Sequence, residues 1–256
     1  MKKIAICGKG GSGKSSVVAL LANGLQSRGC QVLVVDSDES NPGLCRMLGF
    51  ERRPQPLLEL IGGKKKVFEA FSENSQLQKT VLLQNQIRTK DLPSQYLLER
   101  GGIRMVCIGK ILQSFEGCAC PMGVLSREFL TRLAPEEKEL VLVDMEAGIE
   151  HFGRGIESSL DSVLVVTEPS FDSLELTERI NTLAAEVQVK RIWTVLNKVR
   201  SEEMAHELTD QLERKGMSVV GCIRYDPAVF QSGLQGQPIR GSKAQEDVGR
   251  ILDQLL

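Results

Sequence analysis

The hydrophobic positions of the chain fall into short apolar runs separated by longer stretches of mixed polarity. These runs predict strands at Lys3–Cys7, Gln31–Asp36, Ile103–Gly109, Leu140–Asp144, Ser162–Thr167, Arg191–Asn197 and Ser218–Ile223. Most are almost continuously apolar rather than alternating, which is typical of strands that are covered on both faces. The pattern therefore predicts a parallel sheet.

The stretches between these runs predict helices at Ser15–Ser27, Met122–Leu133, Ser173–Glu186, Glu202–Lys215 and Gln245–Leu255. Strands that alternate with helices indicate an α/β fold of three layers, with a doubly wound, mostly parallel sheet and helices on both faces. The stretch 50–102 breaks this rhythm with prolines and paired glycines. We expect an insertion of loops and short helices there, so that residues 1–256 form a single domain.

A glycine-rich segment joins the first predicted strand to the first predicted helix. It reads Gly8-Lys9-Gly10-Gly11-Ser12-Gly13-Lys14-Ser15, and Ser16 follows it. Glycines let the backbone approach phosphates closely, and the amides at a helix N-terminus face the phosphate charge. The sequence therefore predicts a P-loop NTPase that binds a nucleoside triphosphate or diphosphate, in which Lys14 reaches the β- and γ-phosphates and the Ser15 hydroxyl ligates Mg²⁺.

Lys9 is additional to what a phosphate-binding loop requires. The form Gly-Lys-Gly-Gly-x-Gly-Lys-Ser resembles the deviant Walker A motif of the MinD, ParA and nitrogenase iron protein class. The resemblance implies a homodimer formed face to face, in which Lys9 crosses to the nucleotide of the partner. A second cation there would neutralise charge on the leaving phosphates, so Lys9 and Lys14 are both predicted catalytic residues.

Two aspartates stand at or just beyond the ends of predicted strands. Asp38 follows the second strand and resembles a switch I residue that orients the attacking water and binds Mg²⁺ directly or through water. Asp144, followed by Gly148, resembles Walker B and switch II; Asp144 would act on Mg²⁺ directly or through water, and the Gly148 amide would sense the γ-phosphate. Aspartates at strand ends are also common helix caps, but the neighbouring phosphate loop favours the catalytic interpretation.

Two later strand ends resemble loops that bind the base in the same class. Asn197 and Lys198 end one predicted strand, and the resemblance implies that Asn197 reads adenine. Asp226 and Pro227 follow another predicted strand, at the position where the chain surrounds the base in proteins of this class. Ligands of open α/β sheets bind at such carboxyl ends of strands. The preference for ATP over GTP rests on resemblance alone.

Cys118 and Cys120 form a Cys-x-Cys pair between Gly117 and Pro121, two residues that disfavour a helix through the pair. In an extended segment both thiols point the same way, so both can face one ion. Two thiolates do not complete a soft-metal site, and a two-fold axis would supply two more from a second copy. The ligands suit nickel, zinc or copper(I), and two loop thiols without a role are the plain alternative.

The chain as a whole resembles the CooC-type ATPases, which are accessory proteins for nickel insertion into carbon monoxide dehydrogenase, with relatives that serve acetyl-CoA synthase. The resemblance lies in Gly102-Ile103-Arg104, Glu116-Gly117-Cys118-Ala119-Cys120-Pro121, Asp144-Met145-Glu146-Ala147-Gly148-Ile149-Glu150-His151 and Thr167-Glu168-Pro169-Ser170. It implies a homodimer bridged at the cysteine pair by a metal, Ni²⁺ or Zn²⁺, with ATP hydrolysis coupled to metal delivery. The client would be one of those two nickel enzymes.

Composition limits the class of protein and the kinds of partner that the chain can have. Net charge is −1, 41% of residues are hydrophobic and 25% are charged, which is ordinary for a globular protein and gives no overall field toward nucleic acid or membrane. The first apolar run ends at Gly8, too early for a signal peptide, and no run approaches the length of a membrane helix. We therefore expect a cytoplasmic protein with neither a nucleic-acid nor a membrane partner.

Two other functions remain open. A positioning ATPase of the MinD or ParA kind would need a basic amphipathic tail or a basic face, but the tail at 245–256 carries three acidic residues against one arginine. An iron–sulfur reductase similar to the nitrogenase iron protein would have a cluster cysteine on each side of switch II. The chain has no cysteine between Cys120 and Cys222, although four Cys-x-Cys thiolates of a dimer could still hold a cluster.

Overall fold

The computed structural model describes residues 3–38, 42–72, 80–109, 120–149, 155–156 and 159–256. Within these ranges the strands are β1 Lys3–Gly8, β2 Gln31–Asp36, β3 Leu98–Arg100, β4 Ile103–Cys107, β5 Glu139–Asp144, β6 Ser162–Thr167, β7 Ile192–Val199 and β8 Val219–Arg224. The α-helices are α1 Lys14–Ser27, α2 Leu44–Met47, α3 Val67–Ala70, α4 Cys120–Arg132, α5 Phe171–Glu186, α6 Glu202–Arg214, α7 Pro227–Gln235 and α8 Lys243–Leu255.

The strands form one sheet in the order β3-β4-β2-β5-β1-β6-β7-β8. Every pair is parallel except β3 with β4. The predicted fold class, a doubly wound and mostly parallel sheet, is confirmed. β1 lies between β5 and β6, so the loop that follows β1 opens at the middle of the sheet's carboxyl edge, where strand order diverges and ligands bind.

The continuous apolar runs are explained by a core on each side of the sheet. In β1, Ile4 and Ile6 belong to a cluster with α1 and α8, whereas Ala5 and Cys7 belong to a second cluster with α4 and α5. α6 packs on Leu196 and Val199 in a third, smaller cluster. Because successive side chains of a strand point to opposite faces, both sets of positions must be apolar.

The stretch 50–102 contributes 3₁₀ helices at Leu57–Ile61, Lys64–Lys66, Val81–Leu83 and Thr89–Asp91, together with α3 and the edge strand β3. Most of its buried apolar side chains join the same core cluster as α4. Ile87 N donates to Arg132 O at 2.9 Å, and Ala134 N donates to Ile87 O at 2.8 Å. The insertion is thus tied by its backbone to the end of α4.

Several details differ from the sequence predictions. The strand predicted as Ile103–Gly109 ends at Cys107, and β3 was not predicted, because three residues at a sheet edge carry almost no periodic signal. α7 was also missed, because Asp226-Pro227 was interpreted as a loop. An aspartate followed by proline is also a good helix start, since the aspartate caps and the proline needs no hydrogen bond at the first position. No helix in the described ranges is long and apolar enough to cross a membrane.

Candidate nucleotide site

The glycine-rich loop between β1 and α1 is held by its own backbone and by β7. Ser12 N donates to Lys9 O at 3.1 Å. Asn197 Nδ2 donates to Ser12 O at 2.7 Å. Gly13 has a φ of 95°, and a Cβ there would lie 2.4 Å from Asn197 Nδ2, so only glycine fits. Asn197, predicted to read the base, therefore also fixes the loop in place.

Lys14 and Ser15, the first residues of α1, are buried. Lys14 Nζ donates to Lys9 O at 3.2 Å. Ser15 Oγ donates to Asp144 Oδ2 at 2.6 Å, which joins the loop to the end of β5. The predicted set of Lys14, Ser15 and Asp144 is thus brought together.

The second oxygen of the Asp144 carboxylate is available to bind a cation. Asp144 Oδ1 is buried and has no hydrogen-bond partner among the described residues. A buried carboxylate oxygen of this kind calls for an explanation, and one beside a serine hydroxyl suits Mg²⁺. No group of three or more His, Cys, Asp or Glu in the described ranges is arranged to hold a metal ion by itself. The ligands of Mg²⁺ would therefore be the Ser15 hydroxyl, the aspartates either directly or through water, and phosphate oxygens, a combination that is common for this ion.

Asp144 lies in a cluster of three buried carboxylates with Asp36 and Asp38. Asp36 is the parallel-register partner of Asp144 across β2 and β5. Burial and then the charge of Asp36 raise the pKa of Asp144 to about 7, with Asp38 adding to the rise, while the Ser15 hydrogen bond and the charge of Lys14 oppose it. Asp36 was not among the predicted site residues, because only the strand register shows that it faces Asp144.

Lys9 is held on the rim of the site by two acidic side chains of its own chain. Its Nζ lies 3.5 Å from Asp172 Oδ2 and 3.9 Å from Glu168 Oε1. Lys198 Nζ lies 2.8 Å from Glu168 Oε2 and also donates to Gly11 O. Glu168 and Asp172 were missed as site residues, although Glu168 lies in a segment that carries the family resemblance.

The segment after β5 contacts the loop through its backbone. Gly148 N donates to Gly8 O at 3.3 Å. A Cβ at Gly10 would lie 3.6 Å from Ala147 Cβ. The amide that was predicted to sense the γ-phosphate is thus engaged by the loop itself, and it would have to leave Gly8 to bind a phosphate.

A cavity of about 340 Å³ opens beside the loop and provides room for a base. Its wall includes Ser16, Asn197, Lys198 and Asp226 among the predicted residues. Much of the rest is apolar and comes from α1, β8 and α7: Leu20, Ile223, Val229, Phe230 and Leu234.

Asp226 acts in this wall as a cap. Its Oδ1 accepts from Ala228 N at 2.8 Å, and its Oδ2 accepts from Ala244 N at 3.1 Å. Pro227 is the first residue of α7. The segment 224–228 is therefore a strand end, a cap and a helix start rather than a loop, and both Asp226 carboxylate oxygens already accept backbone amides. Its contact with a base stays a prediction.

Cys120 of the predicted metal pair is the first residue of α4. Cys118 is outside the described residues, and α4 begins at Cys120, two residues earlier than predicted. Pro121 did not prevent this, because a proline in the first turn lacks only a hydrogen bond that no residue there makes. Elsewhere, burial raises the pKa of the Cys7 thiol to about 12 and also raises the pKa of Cys45 and Cys222. Those three cysteines are protonated thiols, which are poor metal ligands.

α4 is connected directly to the carboxylate cluster. Ser126, which is fully buried in α4, has its Oγ 3.1 Å from Ser37 Oγ. Ser37 lies between Asp36 and Asp38, and its backbone N donates to Asp144 O at 3.0 Å. The helix that begins at Cys120 therefore reaches the aspartates through one hydroxyl pair.

Comparison with known proteins agrees with this geometry. The family model "CobQ/CobB/MinD/ParA nucleotide binding domain" matches residues 3–239. An uncharacterized ATP-binding protein of Methanocaldococcus jannaschii is 38% identical over 98% of this chain and 99% of its own. The carbon monoxide dehydrogenase accessory protein CooC of Rhodospirillum rubrum is 33% identical over 91% of this chain and 88% of its own. Among solved structures, the septum site-determining protein MinD of Pyrococcus horikoshii with Mg-ADP has a TM-score of 0.70 at 16% identity, covering 100% of this chain and 96% of its own.

Proposed function

The chain belongs to the CobQ/CobB/MinD/ParA nucleotide-binding family of P-loop ATPases, and from this premise we propose that it is a Mg²⁺-dependent, dimeric ATPase that binds and delivers a metal ion. Residues 1–256 would act as one P-loop domain, with 50–102 as an insertion. Nickel is the cargo best supported, and carbon monoxide dehydrogenase or acetyl-CoA synthase is the client. The similarity to the accessory protein CooC over 91% of the chain is the observation that carries this proposal.

The phosphate side supplies the chemistry of hydrolysis. Lys14 would leave Lys9 O for the β- and γ-phosphates, and Ser15 and Asp144 would hold Mg²⁺ at the oxygen that has no partner. Bound Mg²⁺ would supply charge neutralisation at the phosphates and would keep Asp144 ionised. Asp38, buried in the same cluster, is suited to orient the attacking water.

Lys9 would make hydrolysis depend on a second copy of the chain. In this structure its ammonium is paired with Glu168 and Asp172 and does not reach its own phosphate site. One third of its side chain remains exposed, so the pair is weak and exchangeable. In the dimer Lys9 would leave these carboxylates for the partner's nucleotide, where it stabilises charge on the leaving phosphates.

The metal would bind at the dimer axis on Cys118 and Cys120 of both copies. The contact between α4 and the Asp36–Asp38 segment would couple ATP hydrolysis to the cysteine pair, because Ser126 touches Ser37 and Cys120 begins the same helix. A change in the Asp36–Asp38 segment on phosphate release would shift α4 and alter the sulfur geometry.

Anaerobic metal analysis tests this function. The native chain and the variant Cys118→Ser/Cys120→Ser are each purified with nickel or zinc supplied. One ion per dimer in the native chain and none in the variant would support metal delivery. No ion in either protein would refute it.

A positioning ATPase is the second candidate, because the MinD structure with Mg-ADP shares the whole fold. It predicts binding to anionic vesicles or to DNA when ATP is bound. Co-sedimentation with vesicles and with duplex DNA distinguishes the two, since we expect neither to pellet the metal-binding protein.

A further inference from the structure

A second cavity adjoins the base cavity at the end of β8. It measures about 390 Å³ and is enclosed by the starts of α6 and α8 and the end of β8. Arg224 and Tyr225 line both cavities. A ligand in this second cavity would therefore contact two residues that also line the base cavity.

Four cationic side chains line this cavity: Arg200, Arg224, Lys243 and Arg250. Its two lining carboxylates are Asp247 and Glu202. Glu246 stands at the rim, is mostly exposed, and has an oxygen 3.8 Å from Arg224 Nη2. His206 lies on α6 just beyond this cavity, in the adjoining cleft.

Asp247 is fully engaged and orients two of the cations. Its side chain is 1% exposed and accepts from Arg224 N at 2.9 Å and from Arg224 Nη2 at 2.8 Å. It is also paired with Arg250. Its charge is thus shared between two arginines, whose remaining N–H groups can donate to a ligand.

Arg200 and Lys243 have no carboxylate partner among the described residues. The Arg200 guanidinium lies over the Tyr225 ring, 5.6 Å from its centroid, which holds it at the cavity wall. Lys243 is the first residue of α8, and Ser201 caps α6 by accepting from Met204 N at 3.2 Å. The positive ends of two helix dipoles therefore add to these two side-chain charges.

We propose that this cavity binds a small anion, a phosphate or an organic dicarboxylate, and that its occupancy changes nucleotide affinity through Arg224 and Tyr225. The anion would bind between Arg200 and Lys243, with Arg224 and Arg250 completing its hydrogen bonds. Charge-assisted bonds of this kind are the strong ones, and arginine suits both ligand classes. The inference needs only nucleotide binding and is independent of metal delivery.

The test measures anion binding with the phosphate loop already filled. The full chain is saturated with Mg-ADP, so that added anions cannot enter the loop, and inorganic phosphate and succinate are titrated separately by calorimetry at low salt. The variant is Arg200→Gln/Lys243→Gln. Its matched control is Arg179→Gln/Arg191→Gln, which removes the same charge at exposed positions elsewhere.

We expect one phosphate or one succinate per chain, with affinity about tenfold or more lower in Arg200→Gln/Lys243→Gln and unchanged in the control. Whichever anion binds identifies the ligand class. The anion should also change the affinity for a fluorescent ADP analogue about threefold or more. No binding of either anion, or an equal loss in both variants, would overturn the site. Anion binding without any change in ADP affinity would overturn the coupling.

Discussion

Around the phosphate loop the polar side chains are buried and contact one another, whereas around the base cavity apolar side chains are exposed. Lys14, Ser15 and Asp144 have almost no accessible surface. Phe230 and Leu234 of α7 are 59% and 71% exposed, and no residue of α7 is buried. The polar groups of the phosphate side thus contact one another without a ligand. The base side, in contrast, leaves apolar surface exposed that a base would cover. The difference predicts that substitutions on the phosphate side act on chemistry and stability, and those on the base side on affinity alone.

Replacing the two loop lysines should give the largest effects and separate their roles. Lys14→Ala should weaken ATP binding by roughly 30-fold or more, because truncating one member of a buried charge contact costs about 2–5 kcal/mol. Lys9→Ala should keep ATP affinity within about threefold but lower kcat about 100-fold or more, as expected for a cation supplied by a partner. Equilibrium binding and steady-state hydrolysis measure the two. Normal hydrolysis by Lys9→Ala would refute the role across the dimer.

Asp144 should give the folded protein a pH dependence opposite to that of most aspartates, and Asp144→Asn should abolish it. The pKa of Asp144 is about 7 in the folded chain against 3.8 as its ordinary value. The folded state therefore binds more protons between those values, so the free energy of unfolding falls as pH rises from about 4 to about 7 and is level above that. Each pKa unit corresponds to about 1.4 kcal/mol.

Denaturant unfolding of the nucleotide-free protein at pH 5 and pH 8 checks this. Asp144→Asn should be more stable than the native chain at pH 8 by about 1 kcal/mol or more, and should lose Mg-ATP hydrolysis. Ser159→Ala, a serine that bonds only to Ile156 O in the described part, serves as the control. An equal pH slope in native and variant proteins would show that Asp144 is not the group responsible.

Phe230→Ala sharpens the comparison from the base side. We expect ATP affinity to fall roughly fivefold, about 1 kcal/mol, because the base would cover part of the ring. The unfolding free energy without ligand should change by less than about 0.5 kcal/mol, since the side chain is exposed. Phe68→Ala, at a residue that is 58% exposed and far from this cavity in the chain, is the control and should change neither.

Ser126→Ala should lower the free energy of unfolding by about 1 kcal/mol or less, and it should have a specific effect on coupling. Thiol-labelling rates at Cys118 and Cys120, read by mass spectrometry, should differ between ADP and a non-hydrolysable ATP analogue in the native chain. That difference should disappear in Ser126→Ala and persist in Thr131→Ala, an exposed position on the same helix. A difference that survives in Ser126→Ala would exclude the Ser37–Ser126 contact as the route.

The sequence predicted which residues meet at the phosphate side, because they are close in the chain or end predicted strands. Lys14 and Ser15 follow from the loop motif, and Asp144 from the end of an apolar run. Asp36 was missed because its position beside Asp144 depends on the parallel register of β2 and β5, which the sequence alone does not show. Glu168 was missed as a partner of Lys9 because the contact spans many residues and has no local pattern.

The base side was predicted poorly for a different reason. The same dipeptide, Asp226-Pro227, serves a turn and a helix start equally well, and only the packing of α8 decides between them, since Ala244 N donates to Asp226. α7 has an apolar surface that no element in the described part of the chain covers, so its role as a wall is visible only beside the cavity. Local pattern therefore identified the strand end but not the helix after it.

The most direct test of the central claim is the rate at which nickel leaves the loaded dimer. Nickel-loaded protein is mixed anaerobically with a chromogenic chelator and with Mg-ATP, Mg-ADP or Mg²⁺ with a non-hydrolysable ATP analogue. We predict release at least about tenfold faster with Mg-ATP than with either of the others, and no acceleration in Lys9→Ala. Equal release rates in all three conditions would contradict the coupling of ATP hydrolysis to metal delivery.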